Sequence, residues 1–150
     1  MRTDPLQSLV DDYLVRARPL LRRLGYVGVE QREIPESRKA TVAQRREEEA
    51  EGLLRVIGRE ATLVLLDERG EMLASRQFVD LLRRHGRQGH KTVALVIGGP
   101  DGLAPTLKEK ADATIAFGRM TWPHRLVRLM LAEQIYRAGA IAAGHPYHRE

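Results

Sequence analysis

Thr92 to Ile97 reads Thr-Val-Ala-Leu-Val-Ile, an unbroken apolar run only six residues long. A run this short and this apolar is the mark of a strand covered on both faces, which is the situation of strands in a parallel sheet. It is the clearest buried strand in the chain. Thr62 to Leu66 (Thr-Leu-Val-Leu-Leu) is a second short apolar run, and Ala113 to Phe117 reads as another strand. Helical patterns alternate with these segments. Strands alternating with helices predict an α/β class fold with a largely parallel sheet flanked by helices. A length of 150 residues suits one domain over 1–150 with one core, and there is no internal repeat or linker.

The first helix is expected to open at Asp4-Pro5, a capping acceptor followed by proline in the first turn. Leu6, Leu9, Val10, Tyr13, Leu14, Ala17, Leu21 and Leu24 give it one apolar stripe, which Pro19 should kink and Gly25 should end. Val27 to Ile34 reads as a short strand stopped by Pro35, and Glu36 to Ala40 as a loop. Thr41 to Gln44 has capping-box spacing, and the helix that follows (Arg-Arg-Glu-Glu-Glu-Ala-Glu) should carry its charges on a solvated face. Asp67 to Gly70 reads as a turn. Ser75 is expected to cap a helix whose core side is Phe78, Val79, Leu81 and Leu82. A short helix near Thr106 to Ala111 and a last helix over Arg125 to Ala143 complete the pattern, with Gly118 to His124 as a loop and Gly144 onward as a tail.

Several function classes fall away on composition. Cysteine is absent, so there is no disulfide framework and no thiolate site. No apolar run approaches bilayer length, and charges stand where a signal peptide needs apolar residues, so a cytoplasmic location without membrane attachment is expected. There is no nucleophile elbow, HExxH or Walker motif, and the glycine spacing is not the Rossmann fingerprint, which argues against a hydrolase, a kinase or a dinucleotide enzyme. Glu47 to Glu51 read as a solvated helix face rather than a catalytic carboxylate pair. The net charge of +5, carried mostly by arginine, is compatible with a phosphate-rich partner.

Three segments carry chemistry. Ile97-Gly-Gly-Pro-Asp-Gly102 follows a buried strand, and ligands in open α/β sheets bind beyond the carboxyl ends of strands. The same loop also reads as a simple tight turn. Leu66 ends one strand, and Gly118 to Pro123 follows another, so three strand-end loops stand ready to line one pocket. Leu66, Met120 and Trp122 offer apolar surface to an adenine ring, or are core residues. The last six residues, His145-Pro-Tyr-His-Arg-Glu150, gather two imidazoles, a phenol, a guanidinium and a carboxylate. A metal set of His145, His148 and His124 is the poorer reading, because His-x-x-His without a helix or cysteine is a weak ligand pattern. A tail that stacks on an unpaired base and holds phosphate is the better one. On the last helix, Arg128 to Glu133 is not a pairing distance, whereas Glu133 to Arg137 is i, i+4 and reads at least as a salt bridge.

The glycine loop (Val96-Ile-Gly-Gly-Pro-Asp-Gly-Leu103), Met120-Thr-Trp-Pro-His124, Leu126 to Arg137 and the terminal His-Pro-Tyr-His-Arg-Glu150 together resemble the RlmH family. These are large-subunit (23S) ribosomal RNA pseudouridine N3-methyltransferases of the SPOUT superfamily. The likeness is dense from Thr92 and looser back through Arg32 to Arg38 and Leu66 to Gly70. It implies a SPOUT-type α/β knot, with a C-terminal trefoil knot of a kind almost absent from other proteins. It implies a homodimer, S-adenosyl-L-methionine as cofactor, no metal, and methylation in helix 69 on the assembled ribosome. By matching positions it places cofactor contacts on Leu66, Gly98, Gly99, Gly118, Arg119, Met120, Thr121, Trp122 and Pro123. Family members open with a strand before the first helix; here Met1 leads almost directly into that helix, so the strand is expected to be missing through a misassigned start or a truncation.

The resemblance also implies a catalytic tail. Arg137 and Arg149 would stabilise the developing imide anion, His148 would act as base, Tyr147 would stack on or bond the base, and Glu133 would orient Arg137. The resemblance implies that this site is completed across the dimer, one subunit's tail serving the other's cofactor. The alternatives are a SPOUT methyltransferase of another RNA site and a non-catalytic ribosome-binding relative.

Overall fold

The computed structural model describes residues 4–87 and 92–149. Met1 to Thr3, where the family's leading strand would adjoin, and Glu150 of the terminal motif lie outside the described residues. The chain forms two compact units, one made of Met1–Glu30, Leu73–Gly89 and Arg125–Glu150, the other of Gln31–Met72 and His90–His124.

The second unit is built on a parallel sheet. β1 (Thr62–Met72) lies between β2 (Val93–Ile97) and β3 (Ala113–Ala116), both parallel to it. Side chains alternate across a strand, so Leu63 and Leu65 face one way with Val96. There they meet Ala50 of α2 (Val42–Ile57), and Leu103, Ala104 and Leu107 before and within α4 (Pro105–Lys110). Leu65 and Leu107 are essentially solvent-free; burying a leucine fully stabilises by about 1.5–3 kcal/mol. Thr62, Val64 and Leu66, on the other face, are buried too. The α/β class with a parallel sheet is as expected, with one reversal. Thr62–Leu66 is the strand covered on both faces, because it is central, whereas β2 stands at an edge among the described residues and buries only Val96.

The turn expected at Asp67–Gly70 does not interrupt the strand. β1 runs through it as an excursion, with Leu66 and Glu71 both in register with Ile115. Asp67 accepts the Arg69 N–H at 2.8 Å, the local bond that made the segment read as a turn. Gly70 allows the excursion to close, since a Cβ there would sit 2.7 Å from the Ile115 backbone. The capping box at Thr41 and Gln44 is formed on both sides.

The first unit is helical. α1 (Pro5–Ala17) is capped by Asp4, which accepts the Leu6 N–H and pairs with Arg125. Val10, Leu14 and Ala17 form its buried stripe, and Leu21 and Leu24 are buried in the turns that follow. Pro19 does not kink an α-helix; the chain tightens into a 3₁₀ helix, Arg18–Leu24, with the proline in its first turn. Gly25 ends it at φ 95° in a Schellman cap, with Tyr26 N–H bonded to Leu21 O and Gly25 N–H to Arg22 O. Val27 to Ile34 is not a strand. The segment is irregular, and Val27 is 96% exposed. α3 (Ser75–Arg87) buries the four expected apolar residues. Its start is closed by Gln77, which accepts the Ala74 N–H, while the Ser75 hydroxyl binds Gln134 instead of capping. α5 (His124–Ala142) packs closely on the 3₁₀ helix at Gly139, where a Cβ would sit 2.8 Å from Leu20 Cβ.

Candidate functional site

Because the three strands are parallel, their carboxyl ends share one edge of the sheet. Leu66 lies within β1, just before its excursion, in register with Ile97, the last residue of β2, and with Ile115, the residue before the end of β3. Leu66, Gly98–Gly99 and the Gly118–Pro123 loop are therefore brought to that edge together. Met120 and Trp122 are 73% and 42% exposed, so they are not core. Gly118 has φ 122° with open space where a Cβ would stand, and at Gly99 a Cβ would meet only Glu49 Oε1, at 3.6 Å. Gly98 differs: a Cβ there would press on Leu103 and Gly102, so its glycine serves the loop's own packing. Backbone left bare beside exposed apolar side chains fits the adenine and methionine portions of S-adenosylmethionine.

The glycine loop is fastened by residues read from sequence as solvated. Arg45 grips Asp101 with Nε at 2.7 Å and Nη2 at 3.3 Å, and Arg46 Nε reaches the Asp101 carbonyl at 2.6 Å. The Arg45 hydrogen bond holds the Asp101 carboxyl below the usual carboxylate range. Glu49, half-buried, accepts the Ser37 N–H at 2.9 Å. The solvated-face reading of α2 therefore fails for Arg45, Arg46 and Glu49; these side chains lie on the side of α2 that meets the loop. Glu68 of the β1 excursion accepts from the Thr121 hydroxyl at 3.0 Å, tying two strand-end loops together.

The tail forms its own cluster in the first unit. Gly144 at φ 70° ends α5 in a second Schellman cap, with His145 N–H bonded to Ala140 O and Gly144 N–H to Ile141 O. The chain reverses there and returns along the helix. Tyr147 then donates its hydroxyl to Glu133 Oε1 at 3.1 Å, lies edge-on to Tyr136 at 4.6 Å, and carries the Arg137 guanidinium over its ring at 4.8 Å. Glu133 Oε1 also accepts from Arg137 Nε at 2.8 Å and forms an ion pair with its Nη2 at 2.6 Å. Glu133 thus orients Arg137 and raises its guanidinium pKa by hydrogen bonding. Burial, with hydrogen bonds to Tyr13 and Glu133, pushes the Tyr147 phenol up to about 12, so it stays a donor. Arg137 Nη1 lies 3.0 Å from His148 Nδ1. Arginine only donates, so Nδ1 is the acceptor in this contact. Arg149 is exposed and makes no hydrogen bond or ion pair among the described residues.

Glu133, Arg137, Tyr147 and His148 are thus brought together, and Arg149 stands outside their contacts. Arg128 instead donates to Gln7 at 3.3 Å. Tyr136, Tyr13 and Arg16 were not singled out by sequence. Arg16 lies over the Tyr136 ring at 4.6 Å and bonds its hydroxyl at 3.4 Å, and Tyr13 is tilted against Tyr136 at 6.0 Å. A signal existed: Tyr136 is i+3 from Glu133, and a tyrosine on an apolar stripe still needs a polar partner for its hydroxyl. Among the described residues no group of three His, Cys, Asp or Glu side chains is placed to hold a metal, and no helix is long and apolar enough to cross a membrane.

The family model described as "Predicted SPOUT methyltransferase" matches residues 1–148. Similar curated proteins carry the name "Ribosomal RNA large subunit methyltransferase H". The one from Nitrobacter hamburgensis is 45% identical over 149 residues, covering 99% of this chain and 93% of the relative. Those from Cereibacter sphaeroides and Brucella anthropi are 47% and 45% identical with the same coverage. On these matches, and with a parallel sheet whose strand-end loops stand where the motifs expect them, the chain belongs to the RlmH family of SPOUT methyltransferases.

Proposed function

We propose that this chain, acting as one methyltransferase domain in a homodimer in the cytoplasm, uses S-adenosylmethionine to methylate N3 of a pseudouridine in helix 69 of 23S ribosomal RNA, on the assembled ribosome. The observation that carries the reading is the tail folded back on α5, where Glu133, Arg137, Tyr147 and His148 meet within hydrogen-bonding distance. Leu66, Gly98, Gly99 and Gly118 to Pro123 would hold the cofactor in the family's C-terminal knot. When bound, it supplies a methyl group already activated on a sulfonium, with the carbon–sulfur electron pair returning to sulfur.

The remaining chemistry belongs to the protein. The N3 imide proton must leave and the resulting anion must be held in line with the methyl. Arg137, oriented by Glu133, faces the developing negative charge, and exposed Arg149 adds a second cation from the tail. His148 accepts at Nδ1, and in the resting arrangement that nitrogen is taken by Arg137. As Arg137 turns to the anion it releases Nδ1. The N3–H bond breaks and Nδ1–H forms, so the proton rests on His148 while Arg137 holds the N3 electron pair left behind. Tyr147, un-ionised, stacks on or hydrogen-bonds the base. A tail shared across the dimer would set these groups against the partner's cofactor loops.

The test is mass spectrometry of ribosomal RNA from a strain lacking this protein, then with it restored. The expected result is one methyl group absent and regained on a pseudouridine of helix 69. A regained methyl on a different nucleotide would assign another RNA site, and no change in any nucleotide would make the chain a non-catalytic relative.

A further inference from the structure

We propose that the arginines of the 3₁₀ helix and of the last turn of α3 form a second RNA-binding surface, which grips phosphodiester groups with side chains that take no part in the tail cluster. The proposal rests on the reading that the substrate is a ribosomal RNA.

Local geometry brings the cations together. A 3₁₀ helix repeats every three residues, so burying Leu21 and Leu24 leaves Arg22 and Arg23 exposed. α3 buries Phe78, Val79, Leu81 and Leu82, which turns Arg84 and Arg87 outward. The two elements meet backbone to backbone at their carboxyl ends. A Cβ at Gly86 would collide with the Leu24 carbonyl oxygen, and one at Gly25 would lie 3.1 Å from the Gly86 carbonyl. The Tyr26 hydroxyl locks the contact by donating to Leu82 O at 2.6 Å. Arg22 and Arg23 stand within three residues of Gly25, and Arg84 and Arg87 within two of Gly86.

A structural reason exists for part of this, since a helix carboxyl end favours a cation. It does not account for four guanidinium groups at two converging ends, where each repels the others. Among the described residues, then, no carboxylate is bonded to any of the four. Guanidinium forks match two phosphate oxygens at once, whereas ammonium groups do not. A lipid surface fits less well, because membrane-lying helices expose apolar residues beside the cations and α3 turns its own inward.

The test compares the full chain with the variant Arg22→Gln, Arg23→Gln, Arg84→Gln, Arg87→Gln, and with the corresponding quadruple lysine variant. Affinity for assembled ribosomes is measured by fluorescence anisotropy across a salt series. Each lost phosphate contact lowers the slope of log affinity against log salt by about 0.7–0.9, so four losses predict a drop of about 3. KM for ribosomes should rise at least about tenfold while kcat at saturation and the Kd for S-adenosylmethionine stay level. The lysine variant should recover the slope but not all of the affinity, which separates charge from folding. An unchanged slope and KM in the glutamine variant, with the parent active, overturns the surface and leaves the function standing. A reduced slope with a parent that methylates no ribosome upholds the surface and overturns the function. A parent that does not bind ribosomes at all overturns both.

Discussion

Glu133→Ala is the perturbation that most sharply separates a working tail from a merely packed one. Its Oε1 receives Arg137 Nε and the Tyr147 hydroxyl and is ion-paired with Arg137 Nη2, and its Oε2 receives Gln134 at 3.1 Å. The Glu133 and Arg137 side chains are 19% and 23% exposed, between the surface and buried regimes. A hydrogen bond to a charged group contributes about 1.5–3 kcal/mol when shielded, and an exposed pair about 0–1, so the loss should come to about 2 kcal/mol with water replacing part of it. For a chain of this size that lowers the thermal midpoint by about 4–8 °C. The same energy shifts the docking of the tail by about 30-fold. The expected result is a kcat at least about tenfold lower with the Kd for S-adenosylmethionine unchanged, since the carboxylate is proposed to orient Arg137 and not to touch the cofactor. Glu133→Gln, which keeps an acceptor for Tyr147, should fall between parent and alanine variant. Calorimetric unfolding and methyl incorporation into ribosomes read the two effects. A midpoint within 1 °C of the parent's together with full kcat, against the roughly 4–8 °C expected, would show that Glu133 neither holds the tail nor orients Arg137.

Gly99→Val should leave the denaturation midpoint nearly unchanged, because its Cβ has room, yet weaken cofactor binding more than about tenfold by calorimetry. Gly98→Val should behave oppositely in the first respect, costing about 1–3 kcal/mol in denaturant unfolding through its clash with Leu103 and Gly102. Gly144→Ala forces a Cβ into φ 70°, a cost of about 1–2 kcal/mol, and should raise hydrogen exchange at the His145 amide and reduce methyl transfer. The Tyr147 phenol has its folded pKa raised from 10.0 to about 12. Its contribution to stability is therefore complete below pH 10 and lost as pH rises from there through about 12. The stability difference between parent and Tyr147→Phe should be flat at neutral pH and shrink only in that alkaline window.

Much of the fold was legible because it depends on burial and local chemistry. The apolar runs at Thr62 and Val93, the Thr41 capping box, the Asp4 cap and the four core residues of α3 all follow from side chains adjacent in sequence. What misled was context. Val27 to Ile34 has strand-like composition but stays irregular with Val27 exposed, and Asp67 to Gly70 has turn chemistry that a long central strand absorbs as an excursion. Strand order decides that β1 and not β2 is covered on both faces, and order is not written in periodicity. The site divided the same way. The motifs marked Glu133, Arg137, Tyr147 and His148, whereas the Arg45 and Arg46 grip on Asp101 spans more than fifty positions and looked like a solvated charge run. The Tyr13–Tyr136–Arg16 stack likewise joins α1 to α5 across a separation that no spacing rule reaches.

The central claim is that the returning tail performs methyl transfer and the strand-end loops hold the donor. Deleting Tyr147 to Glu150 and measuring both S-adenosylmethionine affinity and methyl incorporation into ribosomes tests it most directly. The expected variant binds the donor as the parent does and transfers no methyl group. Transfer at the parent's rate would contradict the central claim.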